Sequence, residues 1–176
     1  MTEDIDSLKK PDTKKWYVLV TKPKAEKKAS IGLSKIDIEN YLPLQKQLRN
    51  WHDRKKWIEV PLFTSYLFVN IEEKHRNSVF LVNGIVKYVS IGGEVSILRK
   101  EELERVKRLC SYIGEVEIET SNIKVGERVE IICGHFSGMQ GDLISIKGKD
   151  KFRISIPGLG SFATVEMDKD FVKKLV

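Results

Sequence analysis

The sequence predicts an α+β fold in two parts: an antiparallel sheet flanked by helices, then a small five-stranded β-barrel. Two observations lead to this prediction. Over the first 113 residues, β-branched and aromatic runs alternate with segments whose apolar residues recur every three or four positions, as strands and helices require. After residue 122 the pattern changes to short strands separated by glycines, which is typical of a small closed barrel.

The N-terminal part begins with a strand over residues 16–20, which are β-branched or aromatic. Residues 23–38 carry one apolar stripe at helical spacing, so we expect this helix to pack on the sheet. Residues 40–51 and 55–60 are predicted to form a basic hairpin around the turn at 52–54. The helical stripe consists of Ala25, Ala29, Leu33 and Ile36.

The run Pro61–Val69 is the densest apolar and aromatic stretch of the chain. Read as one strand, it is apolar on both faces and has to be covered on both. We expect the helices on one side of the sheet and a partner on the other. One face comprises Leu62, Tyr66 and Phe68, and the other comprises Phe63, Leu67 and Val69.

The remaining segments complete two predicted domains. A helix over 75–82 ends at Asn83-Gly84, a strand follows over 85–91 and a short one over 95–98, and a second helix covers 101–112. The acidic, polar stretch 114–122 has no core pattern beyond Val116 and Ile118 and is predicted to be a linker. The predicted organisation is a flexible leader (1–13), a first domain (14–113), the linker (114–122) and a second domain (123–176).

Composition points to a folded protein with a basic surface. Hydrophobic residues make up 41% and charged residues 32% of the chain, and the net charge is +6. A basic balance favours nucleic acid as a partner. No apolar run is long enough to span a bilayer, residues 1–12 lack the apolar core of a signal peptide, and there are two cysteines. We therefore expect a cytoplasmic protein with no membrane partner.

The hairpin tip carries the candidate nucleic-acid site. Cations there would contact phosphates, while an aromatic ring would stack on an unpaired base. The alternative is that the hairpin is an ordinary solvated surface. The candidate residues are Arg49, Trp51, His52, Arg54, Lys55 and Lys56.

Two sets of residues resemble the NusG family of transcription factors. Val125–Leu143, with glycines at 134, 138 and 141, resembles the KOW motif. Trp16-Tyr17-Val18, the basic hairpin, Pro61–Val69 and Gly84–Val89 resemble the family's N-terminal (NGN) domain. The resemblance covers about residues 15–176 and is greatest to the specialised antiterminators of the RfaH and UpxY kind.

This resemblance implies a transcription elongation or antitermination factor. In the family, the N-terminal domain binds the clamp helices of RNA polymerase through an apolar depression and bridges the DNA channel. By motif position the candidate contacts here are Val20, Tyr66, Phe68 and Tyr88. The alternative for these side chains is a role in the core, which is the role we expect for Phe63 and Leu67.

The resemblance also implies further partners. The hairpin would lie near upstream DNA and the displaced non-template strand. The C-terminal domain would recruit a small-subunit ribosomal protein or the termination factor Rho. The family's apolar-Phe-Gly-Arg tip is replaced here by the longer Ile156–Phe162, which bears most on Rho binding. Candidate contacts in this domain are Phe136, Met139 and Leu159.

No pattern in the sequence predicts catalysis, a cofactor or a metal. Cys133 and His135 lack a second ligand pair, and we expect Cys133 to be a buried strand residue. Glu101, Glu102 and Glu104 are expected on a solvated helix face instead of forming an acid–base pair. The competing hypotheses are a KOW-containing, ribosome-associated RNA-binding protein and a nuclease, and the nuclease lacks any nucleophile or metal constellation.

Overall fold

The computed structural model describes residues 13–51, 54–119, 126–146 and 149–175. The predicted leader falls outside these residues apart from Thr13. The elements, in chain order, are β1 (Lys14–Thr21), α1 (Glu26–Lys35), β2 (Glu39–Tyr41), β3 (Leu44–Asn50), β4 (Lys55–Pro61), β5 (Tyr66–Glu72), a 3₁₀ helix (Glu73–Leu81), β6 (Ile85–Tyr88), β7 (Ser90–Ile91), β8 (Glu94–Val95), β9 (Ile97–Leu98), α2 (Lys100–Ser111), β10 (Val116–Glu119), β11 (Glu127–Ile131), β12 (Gln140–Ile146), β13 (Lys149–Ile156), a 3₁₀ helix (Pro157–Leu159), β14 (Ser161–Glu166), a 3₁₀ helix (Lys169–Phe171) and β15 (Val172–Lys174).

The first sheet has β1 at its centre and the order β2-β5-β1-β6, with β9 also paired to β1. All of these pairs are antiparallel. The mixed helix and antiparallel sheet of this part confirms the α+β prediction. Val18 lies opposite Phe68 and Val20 lies opposite Tyr66. Because cross-strand partners point to the same side of a sheet, these four side chains share one face.

The two α-helices lie on opposite faces of this sheet, so the expectation that the helices lie on one side is wrong. Tyr17, Leu19 and Leu67 form one buried cluster with residues of α1. Val18 and Phe68 belong to a second cluster, which contains Leu103, Val106 and Leu109 of α2. The alternation of β1 therefore sends its odd residues towards α1 and its even residues towards α2.

The run Pro61–Val69 is not one strand. Strand β4 ends at Pro61 and β5 begins at Tyr66, and Ser65 between them has a left-handed φ of 63°. This turn shifts the alternation, so Phe63 lies beside Phe68, with ring centroids 6.4 Å apart, and not on the face of Leu67. The prediction that Leu67 and Val69 share one covered face is confirmed, since both are buried in the α1 cluster.

Two other predicted elements are divided or changed. The segment 40–51 splits into β2, which belongs to the first sheet, and β3, which pairs with β4 in a separate hairpin. The split falls at Pro43, which has no N–H to donate to a continuous ladder. The helix predicted over 75–82 is a 3₁₀ helix over Glu73–Leu81.

The C-terminal sheet has six antiparallel strands in the order β10-β14-β13-β12-β11-β15. Within the described residues its end strands β10 and β15 are not paired with each other, so the predicted closed five-stranded barrel is not confirmed. The sixth strand is β10, whose Val116 and Ile118 face Val165 and Ala163 of β14. The predicted linker thus contains a strand, because its two apolar residues alternate with glutamates.

None of the helices in the described ranges has the length and apolar character needed to cross a membrane.

Candidate functional site

Three of the four candidate polymerase contacts lie together on the α2 side of the first sheet. Phe68 is completely buried, and its ring lies 6.2 Å from that of Tyr41 and 6.4 Å from that of Phe63. Val20 and Tyr66, by contrast, are half-buried at the edge of the same cluster. Phe68 can therefore support this face from beneath, whereas Val20 and Tyr66 keep part of their surface exposed.

Tyr88 lies on the other side of the sheet. It packs with the α1 cluster, and its hydroxyl donates a 2.8 Å hydrogen bond to the backbone carbonyl of Arg76. Its ring meets Tyr17 and Phe80 edge to face at 5.7 and 5.8 Å. Burial raises the pKa of Tyr88 to about 12. The structure does not bring Tyr88 together with Val20, Tyr66 and Phe68.

The partly buried side chains of Tyr41 and Cys110 lie close together and pack against the cluster that contains α2. Burial raises the pKa of the Cys110 thiol to about 11, and burial together with the nearby Cys110 raises the pKa of Tyr41. Both groups are therefore neutral at physiological pH and contribute to the packing of α2 on the sheet.

The β3–β4 hairpin presents cations on both of its faces. Arg49 pairs with Lys56 across the strands, and the next position pairs Asn50 with Lys55, so the charges alternate between the two faces. Trp51 and Arg54 close the turn through reciprocal backbone hydrogen bonds of 2.8 and 3.3 Å. His52 lies outside the described residues.

The hairpin cations have no counter-charge in the part of the chain that the structure describes. Arg49, Arg54, Lys55 and Lys56 are exposed and make no side-chain hydrogen bond or ion pair with any described residue. Trp51 is 58% exposed. Exposed guanidinium and ammonium groups next to an exposed indole are the combination that binds phosphates and stacks on bases.

A groove of about 490 Å³ at the hairpin was not predicted from the sequence. It is lined largely by apolar surface, and Ile113, which follows α2, is 80% exposed beside it. Trp57 and its cross-strand partner Leu48 are each about half exposed. The sequence does not predict that Ile113 lies beside the hairpin, because α2, which positions it, packs against residues distant in the chain. The groove is lined by Lys46, Trp57, Ile58, Glu59 and Ile113.

The three C-terminal candidates are buried instead of being presented to a partner. Phe136, Met139 and Leu159 are 2%, 6% and 4% exposed. All three belong to the buried cluster that continues from α2 into the C-terminal sheet. The apolar side chains left open in this part of the protein include Ile132 and Phe171, which are joined by a backbone hydrogen bond of 2.9 Å.

Glu102 connects α2 to the C-terminal sheet. Its carboxylate accepts one hydrogen bond from the Arg99 backbone N–H at 2.8 Å and another from the Gly158 N–H at 2.9 Å. Ser96 Oγ donates to the Gly158 carbonyl at 2.5 Å. Glu102 is 5% exposed, so its assignment to a solvated helix face is wrong. The spacing of the sequence places Glu102 on α2 but cannot show that residue 158 lies against it.

A second set of contacts joins the end of α2 to the loop 133–139. Arg108 donates hydrogen bonds to the carbonyls of His135 and Ser137 at 2.7 and 3.0 Å. The Tyr112 ring packs on that of Phe136 at a centroid distance of 4.9 Å. His135 Nε2 lies 2.8 Å from the Arg108 carbonyl oxygen. These contacts hold the two parts of the protein together.

The described residues contain no group of three or more His, Cys, Asp or Glu side chains arranged to hold a metal ion. Cys133 is exposed, which corrects the expectation that it is a buried strand residue. Its backbone lies in the turn that follows β11, where its side chain does not face the cluster.

Comparison with known proteins identifies a family and similar solved structures. The family described as "Transcription termination factor nusG" matches residues 14–107. No curated protein matches the chain. The structure described as "Domain interaction in Thermotoga maritima NusG" has 25% identity and a TM-score of 0.53, covering 93% of this chain and 98% of that one. A chain of the MjSpt4:Spt5 complex, conformation A, matches at 16% identity over 91% and 97% of the two chains, but its TM-score of 0.32 is too low to support an argument.

Proposed function

This chain belongs to the NusG family, and on that premise we propose that it regulates transcription elongation by binding RNA polymerase and catalyses no reaction. The matched residues contain the first sheet, the hairpin and most of α2, so both candidate surfaces lie within the family's own region. This observation carries the proposal. A KOW-containing, ribosome-associated RNA-binding protein is the alternative, and it leaves this entire region without a role.

The polymerase clamp helices dock, in this proposal, on the α2 side of the first sheet. The half-buried Val20 and Tyr66 provide the contact, and the buried Phe68 keeps them in place. Aromatic side chains at the centre of an interface contribute more than their share of binding energy. Binding there favours processive elongation or antitermination by bridging the DNA channel.

The basic hairpin contacts upstream DNA and the non-template strand in the elongation complex. Its exposed cations bind phosphates, and Trp51 stacks on an unpaired base. Because the cations occupy both faces of the hairpin, phosphates can be reached from either side. This arrangement supports binding to the backbone without requiring a particular base sequence.

The C-terminal part recruits a ribosomal protein or Rho. Phe136, Met139 and Leu159 take part only after the buried cluster shared by α2 and the C-terminal sheet opens, since all three are buried in it. Ile132 and Phe171 are accessible without that separation.

The decisive test of polymerase binding is the single substitution Tyr66→Ala. Removing a half-buried ring at an interface centre costs about 2 kcal/mol or more, so affinity for the cognate polymerase should fall by about 30-fold or more. Binding is measured by surface plasmon resonance on immobilised polymerase, and thermal unfolding checks that the variant is still folded. Phe68→Ala is unsuitable, because truncating a fully buried ring costs about 3–5 kcal/mol of stability.

The matched control for this test is Leu81→Ala. Leu81 is an exposed apolar residue outside the α2 cluster, so its removal should leave polymerase affinity unchanged. Equal affinity of Tyr66→Ala and the unmodified protein would contradict the proposed polymerase surface. Recovery of the protein with ribosomes in high salt, and none with polymerase, would favour the alternative function.

The hairpin is tested through the salt dependence of DNA binding. Each phosphate contact to a single strand contributes about 0.7 to the slope of log affinity against log salt. Replacing Arg54, Lys55 and Lys56 by Gln should therefore lower the slope by about 2. A variant with the exposed Lys24, Lys100 and Lys173 replaced by Gln removes the same charge outside the hairpin and serves as the control. Equal slopes in the two variants would rule out a phosphate role for the hairpin.

A further inference from the structure

A second groove, of about 530 Å³, lies on the α1 side of the first sheet. One wall consists of Lys28, Gly32 and Lys35 of α1, which are three, four or seven positions apart and so face one way, together with Ala25 just before the helix and Ile36 just after it. The other wall is the segment 81–84. A 2.8 Å hydrogen bond from the Lys22 N–H to the Gly84 carbonyl ties this segment to the end of β1. The groove is thus formed before any partner binds.

The groove is positively charged. Its described lining includes Lys22, Lys28 and Lys35 and, among those residues, no carboxylate. None of the three ammonium groups makes a hydrogen bond or ion pair with a residue in the described ranges, and all three are exposed. Lys28 and Lys35 lie on the same side of α1, about 10.5 Å apart along its axis. This spacing corresponds to two turns of a helix.

The floor of the groove is aliphatic. Leu81 is 81% exposed and Ile36 is 41% exposed, and Val82 packs against α1 at Gly32. Gly32 lets Val82 approach, since a Cβ at this position would lie 2.5 Å from Val82 Cγ1. None of the described residues that line the groove is aromatic. A nucleic-acid strand would find phosphate contacts here but no ring for its bases to stack on.

From this combination we propose that the α1 groove binds an acidic amphipathic helix of a protein partner. Carboxylates seven residues apart on that helix pair with Lys28 and Lys35, and an aliphatic side chain between them covers Leu81 and Ile36. Charge complementarity and an apolar centre are what a helix-in-groove contact requires. Because α1 and α2 lie on opposite faces of the sheet, this partner binds while the α2 side is occupied. The inference does not depend on polymerase binding.

The experiment selects short helical peptides from a displayed random library on the full-length protein and then measures the affinity of the enriched peptide by fluorescence anisotropy. Enriched peptides should carry Asp or Glu at a seven-residue spacing with Leu, Ile or Val between them. Exposed ion pairs contribute modestly, so Lys28→Gln with Lys35→Gln should weaken binding by about three- to tenfold. Leu81→Ser should weaken binding by a similar factor, and added salt should weaken it further.

The control variant is Lys24→Gln with Lys27→Gln, which removes the same charge from the same stretch of chain outside the groove lining. Its affinity for the enriched peptide should equal that of the unmodified protein. Equal loss in both double variants, or selection of peptides without acidic residues, would overturn the proposal. So would a single-stranded oligonucleotide that competes with the peptide and binds Leu81→Ser undiminished, since the groove would then be a phosphate site.

Discussion

Glu102 gives the sharpest test of how the two parts of the protein are joined. Its carboxylate accepts the Arg99 N–H at the start of α2 and the Gly158 N–H of the C-terminal part, and the side chain is 5% exposed. Glu102→Ala removes both acceptors at once. The Arg99 bond is a helix cap worth about 1 kcal/mol. The Gly158 bond, made to a charged acceptor, is worth about 1.5–3 kcal/mol.

We therefore expect Glu102→Ala to lower the free energy of unfolding by about 3 kcal/mol. For a chain of this size the midpoint of thermal unfolding should fall by about 6–12 °C. Glu102→Gln keeps one acceptor of the same shape and should lie between Ala and the unmodified protein. Calorimetry measures the stability, and amide hydrogen exchange at Gly158 and Arg99 measures the two bonds directly.

Glu101→Gln is the matched control for this experiment. Glu101 lies in the same helical turn but is exposed, so its loss should cost only the helix-dipole contribution, about 0.3–1 kcal/mol. Exchange at Gly158 should not change in this variant. If Glu102→Ala unfolds at the same midpoint and Gly158 remains protected, then Glu102 does not join the two parts.

Three further predictions concern Cys110, Cys133 and Gly141. Burial raises the pKa of Cys110 from 9.0 to about 11, so the folded state favours the neutral thiol. The free energy of unfolding should therefore decline as pH rises from 9 to 11. A urea midpoint that stays constant over that range, or that responds equally in Cys110→Ala, would contradict this prediction. At pH 8 a maleimide should modify the exposed Cys133 much faster than Cys110, as peptide mass mapping can show. A Cβ at Gly141 would overlap the Arg153 carbonyl oxygen, so Gly141→Ala should lower the free energy of unfolding by about 3 kcal/mol, as measured by urea titration. Gly92 has open space around it but a φ of 63°. Gly92→Ala should therefore lower the free energy of unfolding by only about 1 kcal/mol.

The elements that could be predicted are those whose residues repeat at a regular spacing. Strand β1, helices α1 and α2 and the hairpin follow from period-two and period-3.6 patterns, which a chain carries locally. The predictions that are wrong depend on single residues. The left-handed φ of Ser65 shifts the side of Phe63, and Pro43 divides one predicted strand into two that join different sheets.

For the candidate site, residue type could be predicted but exposure could not. The hairpin cations are exposed, as expected, because charged side chains at the end of a two-stranded hairpin have nowhere to be buried. Tyr66 and Phe68 alternate with Leu67 in the sequence and share a face, but one is half-buried and the other fully buried. That difference depends on where α2 lies, and α2 is more than thirty residues away in the chain.

By itself, the sequence determined the family resemblance, the α+β class and the chemistry of the hairpin, because all three follow from local residue patterns. Only the tertiary structure decided that the C-terminal candidates Phe136, Met139 and Leu159 are buried in a cluster that includes residues of α2, and that Glu102 is buried against Gly158. It also placed Tyr88 on the face opposite Tyr66 and opened the groove beside α1. These features arise from contacts between residues far apart in the chain, where long-range packing and not local spacing determines which surfaces remain open.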